Sequence, residues 1–284
     1  LHDALPIWGF WVPNMEYLHL VDDFLLEQNG IFFPDLSVCI FRDVALLLFG
    51  QDGQSEKEEA INQTSFVQPA LFLLEYGLAR YLMEQGVRPQ LLMGHSIGEY
   101  AAAALSGIFS FEDATRLVAN RGALMQRMPP GKMLIVRASF EDIAPTVGQR
   151  AELAAANAPG LIVLSGESEA IASVAEELTA QKVANTVLQT SHAFHSSMMD
   201  PVLPEFEKLV SECERRAPSI PIISTMTGSM LSDEEAVSPE YWSAQLRQPV
   251  LFSSALQTAH LNQENSGEYT SLIEVGPGNT LANL

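Results

Sequence analysis

Between residues 68 and 128, apolar stripes of helical period alternate with short apolar runs. In Gln68–Tyr81 and just beyond, Leu71, Leu74, Leu78 and Leu82 keep a 3.6-residue period, which predicts a helix with Pro69 in its first turn. Gln90–Met93 is a short apolar run of the kind a buried parallel strand shows. Gly94-His95-Ser96-Ile97-Gly98 follows, then an alanine-rich helix, Glu99–Leu105, stopped by Gly107. Ser110 with Asp113 three residues on resembles a capping box and opens a helix to about Met128.

From residue 131 the rhythm changes. Lys132–Ala138 reads as a strand, Phe140–Val147 as a helix, and Glu152–Asn157 and Leu161–Ser165 as two strands. Ser168–Gln181 reads as a helix with Ile171, Val174, Ala175 and Leu178 on one face, and Val183–Thr190 as a last strand. The order βαββαβ is the ferredoxin-like pattern. It predicts a small subdomain, 130–190, inserted between two parts of a larger α/β unit, 8–129 and 191–284. Residues 8–50 give no clear period, and Gly50–Ala60 is a polar loop. Leu1–Ile7 reads LHDALPI, which matches the translation of a sequencing adapter and is expected to be an artefact, with the natural N-terminus lost. It has no basic or apolar region of a signal peptide.

Composition narrows the function classes. The chain has 284 residues, 47% of them hydrophobic, enough for a substantial core. Lys and Arg number 15 against 35 Asp and Glu, a formal charge of −20, which disfavours nucleic acid and anionic membrane surfaces as partners. No apolar run is long enough to span a bilayer. The two cysteines, Cys39 and Cys213, have no metal-ligand spacing, so no metal is expected. A cytoplasmic protein is the expectation.

Three residues carry the candidate chemistry. Gly94-x-Ser96-x-Gly98 between a strand and a helix fits a nucleophile elbow, with the Ile97 amide aimed at an oxyanion and aided by the helix dipole. Such a serine needs a base. His2 lies in the first seven residues, His19 in the unparsed stretch and His260 in a polar region, while His95 adjoins the serine and should point away. His192 and His195 remain, in the segment that leads back from the insert to the large subdomain. Asp113 and Asp142 are engaged at helix starts, so a Ser–His dyad held by a backbone carbonyl is favoured over a triad. Arg121 falls on the apolar stripe of Ala114, Leu117, Val118, Leu124, Met125 and Met128. A buried guanidinium keeps its charge and needs an anion, from the protein or from a ligand. The stripe could also end before it and leave it at the surface.

Taken together, Gly94–Tyr100 (GHSIGEY), Asn120–Gln126 (NRGALMQ), His192–Ser196 (HAFHS), Arg247–Val250 (RQPV) and Glu274–Leu281 (EVGPGNTL) resemble the acyltransferase domains of modular polyketide synthases, of the malonyl-CoA:acyl-carrier-protein transacylase family. The resemblance runs from about Asn62 to Leu284. It implies a hydrolase-like parallel-sheet subdomain with the ferredoxin-like insert. It also implies malonyl transfer from malonyl-CoA through a seryl ester to the phosphopantetheine thiol of an acyl carrier protein, with other synthase domains as neighbours and no tightly bound cofactor. Carried over, Ser96 is the nucleophile, His195 the base and acid, and Arg121 the partner of the malonyl carboxylate. The backbone carbonyl of Gln248 would orient His195, and Gln68, Met125, His192 and Phe194 would line the site. Phe194 in His-Ala-Phe-His goes with malonyl rather than methylmalonyl. The family's opening Phe-Pro-Gly-Gln-Gly motif, whose glutamine completes the oxyanion hole, is not at its usual place, where Phe10–Met15 reads FWVPNM. Phe49–Gln54 imitates it too close to Ser96. The first strand is therefore expected to be missing or scrambled. A serine hydrolase or editing thioesterase, or an inactive fragment of a synthase, are the alternatives.

Overall fold

Serine side chains cap the helices that start after Ser110, Ser139, Ser232 and Ser238, and one helix ends at Gly107 in a left-handed turn. In the computed structural model, which describes residues 63–266 and 271–284, helix α1 (Thr64–Glu84) packs on α3 (Phe111–Gln126). Strand β1 (Leu92–Met93) runs into α2 (Gly98–Ser106), which stops at Gly107 with φ 83°. The Ser110 hydroxyl accepts the Asp113 amide at 3.0 Å and caps α3. The expectations for residues 1–62, including Leu1–Ile7, the Phe49–Gln54 loop, His2, His19 and Cys39, lie outside the described residues. The Cys213 thiol is free and buried.

Two starting points of the sequence reading are corrected. Helix α1 begins at Thr64 rather than Gln68, so Pro69 sits in its second turn, where one helical hydrogen bond is forgone. Packing compensates: Gln68, Pro69, Ala70, Phe72 and Leu73 are buried. The leucine stripe is not that face. Leu78 is exposed, and Leu71 and Leu82 line a cleft instead.

The insert is built from β2 (Gly131–Val136), α4 (Phe140–Val147), β3 (Glu152–Ala158), β4 (Leu161–Glu167), α5 (Ser168–Ala180) and β5 (Asn185–Val187). Its sheet has the order β3-β4-β2-β5 with every neighbour antiparallel, the arrangement its βαββαβ sequence predicts. Alternation along the strands makes two faces. Leu134, Val136, Ile162 and Leu164 pack under α4 and α5, while Met133, Ala155 and Val163 meet Val250 and Phe252 of the larger unit.

In the larger unit β1 pairs in parallel with β6 (Ile222–Ile223), Leu92 beside Ile222 and Met93 beside Ile223. A 3-10 turn (Ser197–Val202) leads into α6 (Leu203–Ser211), and β6 is followed by α7 (Asp233–Ala236), α8 (Pro239–Arg247) and α9 (Phe252–Ser266). The two units are joined at backbone level just after α8. The Ala156 amide donates to the Val250 carbonyl at 2.8 Å, and the Val250 amide to that of Ala154 at 2.9 Å. Ionic contacts reinforce this seam: Arg247 meets Glu152 at 2.8 Å and Asp200 at 2.5 Å.

Candidate active site

The turn between β1 and α2 is possible only with glycine at its start. A Cβ on Gly94 would lie 2.1 Å from the Glu99 nitrogen, inside any contact distance. Gly98 is less constrained, since a Cβ there would meet only the Glu75 carboxyl, at 3.3 Å. Ser96 is left at φ 52°, a strained conformation for a residue with a side chain, and Ile97 caps α2. The Gly98 and Glu99 amides take the carbonyls of His95 and Ser96, at 3.0 and 3.2 Å. The Ile97 amide therefore stands ahead of that ladder, beside the serine.

His195 reaches the same point from residue 190 onward, in the loop that follows β5. It too has a positive φ, 55°. Its Nε2 lies 2.8 Å from Ser96 Oγ and its Nδ1 2.7 Å from the Gln248 carbonyl. A carbonyl can only accept, so Nδ1 carries the proton and Nε2 accepts from the serine hydroxyl. Burial pushes the imidazole down to about 3, helped by the nearby Arg121 charge and opposed by the Gln248 carbonyl. The ring is held neutral, as a proton acceptor must be.

Arg121 is 1% exposed. Its Nη1 donates to Gln68 Oε1 at 2.6 Å, its Nη2 approaches Ser96 Oγ at 3.5 Å, and its guanidinium lies 5.5 Å from the Tyr100 ring centre. Its Nε has no partner, and no carboxylate pairs with it among the described residues. A surface position is set aside, and among the described residues no internal salt bridge supplies the anion. Gln68 is fixed in turn by Met125, whose sulfur accepts from Nε2 at 3.1 Å. Gln68, Met125 and Phe194 line the cleft with Ser96, Arg121 and His195.

His192 is different. Its Nδ1 lies 2.7 Å from Ser191 Oγ and its Nε2 3.1 Å from the Met128 carbonyl, and it is not among the cleft-lining residues. Nε2 thus ties the loop to the residues just after α3, while Nδ1 bonds within the loop and lies 3.4 Å from Thr64 Oγ1 at the start of α1, so the expected lining role is corrected to an anchoring one. His95 turns away from Ser96, as expected, and meets Asn157 Oδ1 at 2.8 Å. Asn157, Glu99, Tyr241 and Gln245 were missed. Asn157 had a faint signal, one amide in the apolar strand AAANA. Glu99 is fully buried and accepts from Thr225 Oγ1 at 2.8 Å and from the Tyr241 hydroxyl, and burial raises its carboxyl. Among the described residues no group of His, Cys, Asp and Glu could hold a metal.

A serine activated by a neutral histidine, with a buried cation beside it that has no carboxylate partner among the described residues, is suited to acyl transfer onto and off the serine. The family model described as "Acyl transferase domain" matches residues 21–283, starting upstream of Asn62, where the motif resemblance begins. The chain belongs to the acyl transferase domain family. Mycoketide-CoA synthase of Mycobacterium tuberculosis is 39% identical over 272 residues, covering 95% of this chain and 6% of that protein. The spectinabilin polyketide synthase system protein NorB of Streptomyces orinoci is 38% identical over 244 residues, 84% of this chain and 11% of that one. The chain thus spans a small part of these relatives. Among solved structures, the acyltransferase domain from the second module of the salinomycin polyketide synthase shares 36% identity at a TM-score of 0.74, over 87% of this chain and 59% of that one. A malonyl CoA-acyl carrier protein transacylase from Burkholderia pseudomallei shares 28% identity at a TM-score of 0.79, over 87% of this chain and 85% of that one. The acyl transferase fold is therefore the fold of this chain, parallel and antiparallel sheets included. No described helix is long and apolar enough to cross a membrane.

Proposed function

We propose that this acyl transferase domain loads a malonyl group from malonyl-CoA onto Ser96 and passes it to the phosphopantetheine thiol of an acyl carrier protein, as one domain of a polyketide synthase. The observation that carries the reading is the buried Arg121 guanidinium, which has no carboxylate partner among the described residues and stands 3.5 Å from the nucleophilic oxygen. A carboxylate at the far end of the acyl group supplies the missing charge, and a planar guanidinium takes it as a fork. Gln68 holds that fork in place.

In the first half, Ser96 Oγ attacks the thioester carbonyl as its proton passes to His195 Nε2. The Ile97 amide stabilises the oxyanion, and collapse expels the CoA thiolate, which takes the proton back. In the second half the carrier thiol attacks the seryl ester along the same path in reverse. Gln248 keeps the imidazole in the required tautomer throughout. Phe194 is on the cleft wall, and its bulk supports malonyl over methylmalonyl, since rejecting one methyl is worth about 1–3 kcal/mol. No tightly bound cofactor enters the steps.

The test is loading of radiolabelled malonyl-CoA and acetyl-CoA by the wild type, Ser96→Ala and Arg121→Ala. Ser96→Ala is expected to take no label. Arg121→Ala is expected to lose malonyl loading while gaining acetyl loading relative to it. A malonyl preference that survives the loss of Arg121 refutes the carboxylate role. Release of free malonate to water at a rate matching loading, with no transfer to a carrier, would support a hydrolase instead.

A further inference from the structure

Helix α8 presents three groups along one face, at Tyr241, Gln245 and Gln248, spaced four and then three residues apart. Each holds a different part of the site. The Tyr241 hydroxyl donates to Glu99 in the first turn of α2. Gln245 Nε2 donates to the carbonyl oxygen of Ser96 at 2.8 Å. The Gln248 carbonyl, at the C-cap, accepts from His195 Nδ1. Gln245 is 2% exposed, and no step of the chemistry above uses it.

The two residues that must meet, Ser96 and His195, are both non-glycine residues at positive φ, 52° and 55°. Such a conformation is strained for a residue with a side chain and persists only where the surroundings fix it. At His195 the brace is the bond to Gln248. At Ser96 the carbonyl is held twice, by the Glu99 amide of its own helix at 3.2 Å and by Gln245. Only the second bond ties the elbow to the element that also holds the histidine.

We propose that Gln245 is a positioning residue: its side-chain amide pins the Ser96 carbonyl to α8, three residues before the carbonyl that pins His195, so that one helix end sets the distance between nucleophile and base. Without that donor, the Ser96 carbonyl is held only by the Glu99 amide of α2. The elbow can then relax and swing Oγ off the line to Nε2. A misplacement of about 1 Å at reacting atoms costs on the order of 100-fold in rate. The proposal rests on the reading of Ser96 as nucleophile and adds to it the residue that holds the nucleophile in register.

The experiment uses the full chain carrying Gln245→Met, a side chain of similar length with no donor. Steady-state loading from malonyl-CoA, inactivation by phenylmethylsulfonyl fluoride and thermal melting are measured together. The sulfonyl fluoride reports on the Ser–His pair and does not need the carboxylate clamp. Expected are a kcat lowered about 10- to 100-fold, a KM within about twofold of wild type, inactivation slowed by the same factor as kcat, and a near-unchanged melting temperature. A wild-type kcat overturns the proposal. So does a loss carried by KM, or one accompanied by wild-type inactivation. Should Gln245→Met melt below the assay temperature, Gln245→Glu, of the same size, gives the answer through pH. Its rate should hold while the new carboxyl is neutral and can donate, and fall where it ionises; a wild-type pH profile overturns the proposal. Ser96→Ala, run alongside, separates the two ideas. Label on Ser96→Ala sinks the nucleophile itself, whereas a silent Ser96→Ala with a wild-type Gln245→Met sinks the positioning role alone.

Discussion

Ser96, His195 and Arg121 come from three separate stretches of the chain, and each is held in a state it would not choose in water. The serine and histidine backbones are strained, the histidine is forced neutral, and the arginine keeps a charge with no counter-ion among the described residues. The histidine's state sets the pH dependence. The base works when unprotonated, and burial, Arg121 and the more distant His95 and Arg247 all push its pKa down from 6.5 to about 3. The acid limb of kcat/KM for malonyl loading should therefore lie well below pH 6.5, with the rate at pH 5.5 close to that at pH 7.5. Rates measured across that range check this, and a midpoint near 6.5 would contradict it. In Arg121→Ala, assayed with acetyl-CoA, the limb should move up, because one of the charges opposing protonation is gone.

At the scale of elements, the carboxylate clamp depends on how closely α1 approaches α3. Gln68 is on the first helix and Arg121 on the second, and the helices touch where Gly122 meets Thr64 and Ser65. A Cβ on Gly122 would lie 2.9 Å from the Thr64 carbonyl oxygen and 3.1 Å from the Ser65 Cα. Those are backbone atoms, which cannot rotate away. Gly122→Ala should force the helices apart, lowering stability by about 1–3 kcal/mol as overpacking does. It should also raise KM for malonyl-CoA by displacing Gln68 from Arg121. Urea unfolding and steady-state loading check the two effects. An unchanged midpoint and KM would mean that the helices have slack at this contact. The helix periods were readable from residue order, because i to i+4 spacing is local. Which face of α1 would be buried was not, since Leu78 carries the apolar pattern yet is exposed, whereas polar Gln68 is buried against its partners.

The whole molecule couples these local states to stability. His195 and His95 both have folded pKa values below their ordinary 6.5, chiefly through burial. Between the folded and unfolded values these imidazoles bind more protons in the unfolded chain, so their contribution to stability is full above about pH 6.5 and is lost as the pH falls, while the buried Glu75 and Glu99 carboxyls, raised by burial, contribute in the opposite sense. Relative to wild type, His195→Gln should lose less stability, or gain more, as the pH falls from 7 to 5; urea midpoints of both proteins across that interval check this, and parallel curves would contradict the burial of a neutral His195. What the residue order determined by itself was local: the cap at Ser110, the glycine-framed elbow, the alternation that makes βαββαβ, and a cation on an apolar stripe. Each arises from forces acting within a few residues, and so leaves a pattern there. Residue pattern without the family resemblance left His192 and His195 open, and tertiary structure decided that His195 faces the serine, that Arg121 has no carboxylate partner among the described residues, and that Gln245 reaches an elbow 149 positions away. Those outcomes depend on where two sheets and the end of α8 meet in space, and a contact between distant residues imposes no period or spacing on the chain that a reader of the sequence could detect.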